Sequence, residues 1–293
     1  DERDPASPEA AVIAALLLAV VSRYPAGVHH ARIAAEYAGT APFIRVTVQG
    51  SARPLWFTID SGSPYTFIDQ HVAKELGLHM HKAAPINGAG SGSVNVQGVD
   101  RVTFEMPGFT TSGHEVRVAD LSGLPALFDH PIDGFFGYDL LASSVVSMNP
   151  RLRMITFTDP ARFHYTGRGV SLPIRFGGKS GKWIFVPGRI KVAGNREADT
   201  ELMVDSGSTD AVNHPLLRKS TAPLRQINTG NGLGSPLPGV AGDVEWIRLG
   251  GYTLRGLPAS CCGAVIDRLI GQGVLSQFVT TFDYARKRLI LER

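Results

Sequence analysis

Polar and apolar residues alternate over Arg45-Val46-Thr47-Val48-Gln49-Gly50 and again over Arg189-Ile190-Lys191-Val192-Ala193-Gly194. A period of two that ends in glycine predicts a half-buried strand entering a hairpin turn. About ten residues after each glycine stands an aspartate, reached through an apolar run, Leu55, Trp56, Phe57 and Ile59 in one place and Leu202, Met203 and Val204 in the other. Downstream, Ile86-Asn87-Gly88-Ala89-Gly90 echoes Ile227-Asn228-Thr229-Gly230-Asn231, and Val96-Gln97-Gly98 echoes Val240-Ala241-Gly242 before a further strand. Phe135-Phe136-Gly137 answers to Leu269-Ile270-Gly271, and from there the two stretches align without a gap to closing strands at Met154-Ile155-Thr156-Phe157 and Leu289-Ile290-Leu291. Strands predominate, with short helices predicted at Gln70 to Leu76 and at His214 to Lys219. The fold class is mainly β, built from one unit made twice.

Polar, proline- and glycine-containing sequence from Asp159 to Gly169 separates the copies, and Gly177-Gly178-Lys179-Ser180-Gly181 reads as a hairpin loop. The expected organisation is a helical extension over residues 1–40 and two lobes over 41–169 and 170–293. The extension is expected to be helical because Ser7-Pro8-Glu9 forms a start signal before the apolar segment Ala10 to Val21. Ile13, Leu16, Leu17, Val20 and Tyr24 would share one face. A signal-peptide core is the rival reading, but the residues before the segment are acidic.

Each apolar run ends in the same four residues, Asp60-Ser61-Gly62-Ser63 and Asp205-Ser206-Gly207-Ser208. A single aspartate-serine-glycine is more often a turn or a helix cap. Two copies in matching surroundings can bring two carboxylates together, an arrangement in which they share one proton and divide acid from base.

An aspartate-hydroxyl-glycine triplet after an apolar strand, followed some seventy residues later by two apolar residues and a glycine, all occurring twice, resembles the pepsin-like aspartic proteases. The resemblance covers Pro42 to the C-terminus and is especially close from Leu269 through Phe278, Thr281-Phe282-Asp283-Tyr284 to Ile290. It implies two lobes related by a pseudo-twofold axis, catalysis by Asp60 and Asp205, and hydrolysis of an extended polypeptide by activated water. It also implies supporting roles. Ser61 and Ser206 would reach across to the opposite lobe, Gly62 and Gly207 would let backbone amides approach the carboxylates, and Ser63 and Ser208 would bond the outer carboxylate oxygens. Gly137 and Gly271 would admit a crossing strand. The glycine-rich loop containing Asn87, Gly88, Ala89, Gly90 and Ser91 would be a flap over the substrate, and Asn228 to Gly234 suggests a second. Threonine is commoner than serine in the triplet, and no tyrosine occurs between His79 and Gly98, where pepsin-like enzymes usually place one. Together with the compact lobes, this moves the likeness towards bacterial and retroviral-type (retropepsin-like) members.

The 293 residues suit two lobes of ordinary domain size, and the longest apolar run falls short of a bilayer span. A net charge of +3 without a basic run argues against nucleic acid. His79 with His81, and His29 with His30, lack a third ligand at a recognisable spacing, so neither metal nor cofactor is expected. The two cysteines, Cys261 and Cys262, are neighbours. They read as small apolar residues without a disulfide framework. Animal pepsin-like enzymes usually carry several disulfides, so the resemblance implies a bacterial member, expected to be a periplasmic or secreted protein and a monomer. The first functional reading is an aspartic endopeptidase. The alternative is a catalytically silent scaffold that binds a polypeptide or inhibits an enzyme, and a serine hydrolase is distant because no glycine-x-serine-x-glycine occurs. The N-terminal segment, with Arg23, His29, His30 and Arg32, would on the protease reading suit either a pro-segment shielding the cleft or a structural role.

Overall fold

The run Leu55–Ile59 is buried along nearly its whole length because it is an inner strand, flanked by Ala41–Val48 and Gly134–Phe136 in a nine-stranded sheet. Its counterpart Ala198–Val204 lies between Trp183–Lys191 and Leu269–Ile270 in an eight-stranded sheet. The computed structural model describes residues 20–230, 232–262 and 267–293. It is mainly β, with a few short helices that include Gln70–Glu75 and the 3-10 turn Pro215–Lys219.

The pairing of strands repeats as the sequence does. Gly134–Phe136 runs parallel to Leu55–Ile59 with Phe136 opposite Ile59, and Leu269–Ile270 runs parallel to Ala198–Val204 with Ile270 opposite Val204. Each of these strands is also antiparallel to the segment after the aspartate loop, Thr66–Asp69 in one half and Val212–Asn213 in the other. The long hairpin Gln97–Met106 with Phe109–Ala119 corresponds to Leu237–Leu249 with Tyr252–Cys261.

A six-stranded sheet is shared by both halves. Val145–Asn149 pairs with Val279–Asp283 at its centre, and the Ser147 and Thr281 hydroxyls meet there at 2.8 Å. Hairpin partners Met154–Thr158 and Arg288–Glu292 flank that pair, followed on one side by His30–Ala34 and on the other by Val170–Pro173.

The placement of His30–Ala34 corrects the expected helical extension. The helix expected from Ala10 falls outside the described residues except at its end, and there Val21–Arg23 is a strand paired with Phe109–Ala119. His30–Ala34 and Glu36–Ala38 are strands as well. Ala31 and Ile33 alternate with exposed neighbours, a period of two that suits the edge of a sheet. Among the described residues no helix is long and apolar enough to cross a membrane.

Candidate active site

Both aspartates stand where an inner strand ends beside its parallel neighbour. The Asp60 amide donates to the Phe136 carbonyl at 2.8 Å, and the Asp205 amide to the Ile270 carbonyl at 2.9 Å. Each chain then turns, and the Gly62 and Gly207 amides donate to the Oδ1 atoms of Asp60 and Asp205 at 2.8 and 2.9 Å. The Ser208 amide adds a bond to Asp205 Oδ1 at 3.1 Å. The glycines are required for a crossed reason: a Cβ on Gly62 would collide with the carboxyl group of Asp205, and one on Gly207 with that of Asp60. Each loop thus leaves room for the other half's carboxylate. Gly62→Ala is accordingly expected to displace Asp205 and lower peptidase turnover at least tenfold while the strands persist, as comparison of kcat with the circular dichroism spectrum will show.

Buried hydroxyls lock the two loops together. The Ser61 hydroxyl donates to the Val204 carbonyl at 2.8 Å and accepts from the Ser206 amide at 3.0 Å. Reciprocally, the Ser206 hydroxyl donates to the Ile59 carbonyl at 2.7 Å and accepts from the Ser61 amide at 3.0 Å. These bonds hold the loops in one register across 145 residues of sequence.

The carboxyl groups of Asp60 and Asp205 lie within hydrogen-bonding reach of each other and are partly open to a cleft. Burial pushes the Asp60 carboxyl well above the usual carboxylate range, and the neighbouring Asp205 charge adds to the effect. Burial likewise raises Asp205, against the amide bonds that favour its ionised form. Two such groups release their protons in succession, and the first proton lost is shared by the pair.

Ser63 and Ser208 depart from the roles implied by the resemblance. The Ser63 hydroxyl donates to the Tyr65 carbonyl at 2.7 Å, and the Ser208 hydroxyl accepts from the Asp210 amide at 3.2 Å. Neither hydroxyl bonds the carboxylate of Asp60 or Asp205; both serve the turn that follows, as serines in tight turns commonly do. Gly137 and Gly271 pass close beneath these turns. The Tyr138 amide reaches the Ser63 carbonyl at 3.0 Å and the Gln272 amide reaches the Ser208 carbonyl at 2.8 Å.

A buried histidine-aspartate network braces the first loop. Thr66 accepts from the Gly137 amide at 3.1 Å and donates to Asp139 Oδ1 at 2.6 Å, while His114, wholly buried, hydrogen-bonds Asp139 Oδ2 and Thr111. Burial would raise the Asp139 carboxyl, but the bonds from His114 and Thr66 outweigh it and hold the group below its ordinary value.

Above the aspartates is a cleft of about 260 Å³. Asn87, Gly88 and Ala89 line its roof together with Thr229, Gly230 and Leu233 from the second half. The two loops meet: the Ser91 amide donates to the Ser235 carbonyl at 2.8 Å, the Ser235 amide returns a bond at 3.1 Å, and the Gly90 amide donates to the Leu233 carbonyl at 3.1 Å. The wall on the Asp60 side is apolar, formed by Phe67, Leu124, Leu127, Phe128, Ile132 and Phe135. The opposite wall carries Ser208, Thr209, Asp210, Asn213 and Ser260. Sequence reasoning passed over both walls. Asp210 was within reach, five residues after Asp205, but the segment from Leu124 to Ile132 has no echo in the second half that would have marked it.

Cys261 and Cys262 are joined to each other as a disulfide, which corrects the expectation of two unpaired apolar residues. The left-handed conformation of Cys262, with φ at 68°, makes the turn that brings the two side chains to one side.

His214 sets a pH limit of its own. Its Nδ1 accepts from the Leu216 amide at 3.2 Å and its Nε2 faces the Thr200 hydroxyl at 3.0 Å in a site only 3% exposed. Burial, helped by the Arg268 charge, pushes its pKa down to about 4. An unfolded histidine takes up its proton near pH 6.5, so stability is complete above that value and falls as pH drops towards about 4. The loss amounts to at most about 3 kcal/mol. His214→Gln is expected to flatten this part of the stability curve, measured by urea unfolding from pH 7 to 4.

A comparison with curated proteins found no match. Residues 44–140 match the family model described as aspartyl protease, a stretch that includes Asp60, the first glycine-rich loop and Gly137. That match covers the first copy of the repeat and marks a similarity to the aspartyl proteases there, and the second half repeats the same strand pairing and the same loop.

Proposed function

We propose that the protein is an aspartic endopeptidase whose catalytic groups are Asp60 and Asp205. The observation that carries this reading is the approach of the two carboxyl groups, one from each copy of the repeat, at the floor of the cleft. In the proposed architecture residues 41–169 and 170–293 form two lobes about an approximate twofold axis, with His30–Ala34 added to the first as Val170–Pro173 is to the second.

The chemistry follows from one shared proton. The ionised carboxylate removes a proton from a water held between the pair, and the protonated carboxyl donates to the scissile carbonyl oxygen, giving a tetrahedral diol. Proton transfer to the amide nitrogen then lets the diol collapse to a carboxylic acid and an amine, and the pair regains its starting protonation. No covalent bond to the enzyme forms. Amides fixed on Asp60 and Asp205 and the serine exchange beneath them keep the carboxyl groups aligned, so little reorganisation is needed as charge moves. The two glycine-rich loops close on each other above the cleft, and a covered cleft of this kind suits an extended polypeptide.

The test is digestion of an unstructured protein between pH 3 and 7, with products read by mass spectrometry. Internal cleavage is expected, and a peptide carrying a secondary alcohol in place of the scissile bond should inhibit it because it imitates the diol. Absence of cleavage across that range would leave the polypeptide-binding scaffold as the better reading.

A further inference from the structure

Three acceptors converge on the Asp205 side of the cleft. The Asn213 amide Nδ2 donates to Ser260 Oγ at 2.9 Å, and Ser260 Oγ donates to Asp210 Oδ2 at 3.1 Å. Because the Ser260 proton is committed to Asp210, Ser260 can only accept from Asn213, which fixes the orientation of the Asn213 amide. Its Oδ1 is then left buried without a partner in a residue 3% exposed. Among the described residues no donor reaches Asp210 Oδ1, and no cation lies within ion-pair distance of this carboxylate. All three residues line the cleft.

The repeat shows that the fold does not need this group. Asp210 follows Asp205 by five residues, the place Tyr65 takes after Asp60. Asn213 corresponds to Ile68, and Ser260, opposite Asn213 in the parallel register, corresponds to Val118 opposite Ile68. The first half therefore builds the same strands with an aromatic and two aliphatic residues. An unpaired amide oxygen embedded in a wall costs stability, and one copy of the unit avoids that cost. At the Tyr65 position the charge is of the other sign, since Arg117 and Lys182 lie 4.4 and 4.7 Å from the ring centre.

We infer that the Asp205 half of the cleft holds a subsite for a lysine or arginine side chain of the substrate, received by Asp210, Asn213 and Ser260. The opposite wall, from Phe67 to Phe135, receives a large apolar side chain. Successive side chains of an extended strand point to opposite faces, so one peptide can present both. The ammonium or guanidinium group supplies the donor that Asp210 Oδ1 lacks, in a charge-assisted bond, while the Asn213 amide holds Ser260 and through it the other carboxylate oxygen.

This inference rests on the protease reading, and one experiment separates the two. A library of synthetic peptides, randomised at one position at a time around an apolar anchor, is digested by the full chain and by Asp210→Asn and Asp210→Lys. Lysine or arginine at one position is expected to raise kcat/KM roughly tenfold or more over glutamine, the preference to vanish in Asp210→Asn, and acidic residues to be favoured there in Asp210→Lys. Cleavage by the unsubstituted chain without a basic preference, or a preference that survives Asp210→Asn, overturns the subsite while leaving the protease reading in place. A chain that cleaves no member of the library overturns both.

Discussion

Asp60→Asn and Asp205→Asn are each expected to lower kcat for peptide hydrolysis by ~10² to 10⁴, the range that acid-base catalysis supplies. Asparagine keeps the shape and accepts the same amide bonds from Gly62 or Gly207, so the loop persists, but it neither takes a proton from water nor shares one. The two aspartates act as one unit, so the double variant should be hardly worse than either single one. Stability should move the other way. Both carboxyls are raised in the folded protein, so the folded pair retains a proton where the unfolded chain has already lost it. Folding is therefore penalised as pH rises from the ordinary carboxylate range through the folded value, and either variant should melt higher than the original chain at neutral pH. Calorimetry and a peptidase assay on the same samples check both halves of this expectation. Asp205→Asn with near-original turnover would remove the pair from catalysis.

The second large effect concerns the network behind the first loop. Asp139→Asn is expected to cost about 1 to 3 kcal/mol, because the amide keeps one acceptor oxygen where the carboxylate serves both His114 and Thr66, so one buried group loses its partner. His114 is fully buried and Asp139 also holds Thr66, which in turn holds the Gly137 amide, so the loss should spread into the turn after Asp60. The contribution of Asp139 itself has a defined pH window. Its folded value is depressed, so the stabilisation is present above the ordinary aspartate pKa and is lost as pH falls through the lower folded value. Urea unfolding of Asp139→Asn at pH 6 checks the magnitude, and a change below about 0.5 kcal/mol would show the pair to be neutral to stability. Replacing both partners, as in His114→Leu with Asp139→Leu, should recover part of the loss.

The duplication was legible because its units are local: strand, glycine turn and loop follow one another within short windows, and alternation survives in each copy. Asp60, Asp205 and the two glycines that face them could be located from that pattern alone. The strands from Val21 to Ala38 were harder to read, since runs of three to five residues carry few turns of any period and an apolar helix pattern preceded them. The hydroxyls of Ser63 and Ser208 were assigned to the carboxylates by likeness, whereas each is used by the turn that follows it. His114 and Asp139 stand 25 residues apart on different strand and helix elements, and nothing in their spacing marks a pair. The bond between Cys261 and Cys262 depends on a left-handed turn that neighbouring cysteines do not announce.

The asymmetry of the cleft has the same origin. A repeat fixes what both copies share, and the inferred subsite lies where they differ, as Tyr65 and Asp210 do at equivalent positions. Positions that break the internal likeness within a shared framework are thus as informative as those that keep it.

The most direct measurement is the pH dependence of kcat/KM for one internally cleaved peptide, taken from pH 2 to 8 with correction for unfolding. A pair that shares one proton must be singly protonated to work, so the expected profile is a bell with both limbs lost in Asp205→Asn, and with its upper limb above the ordinary carboxylate range because burial raises both groups. A profile that rises through a single limb and stays level where both carboxylates are ionised would contradict catalysis by Asp60 and Asp205 together.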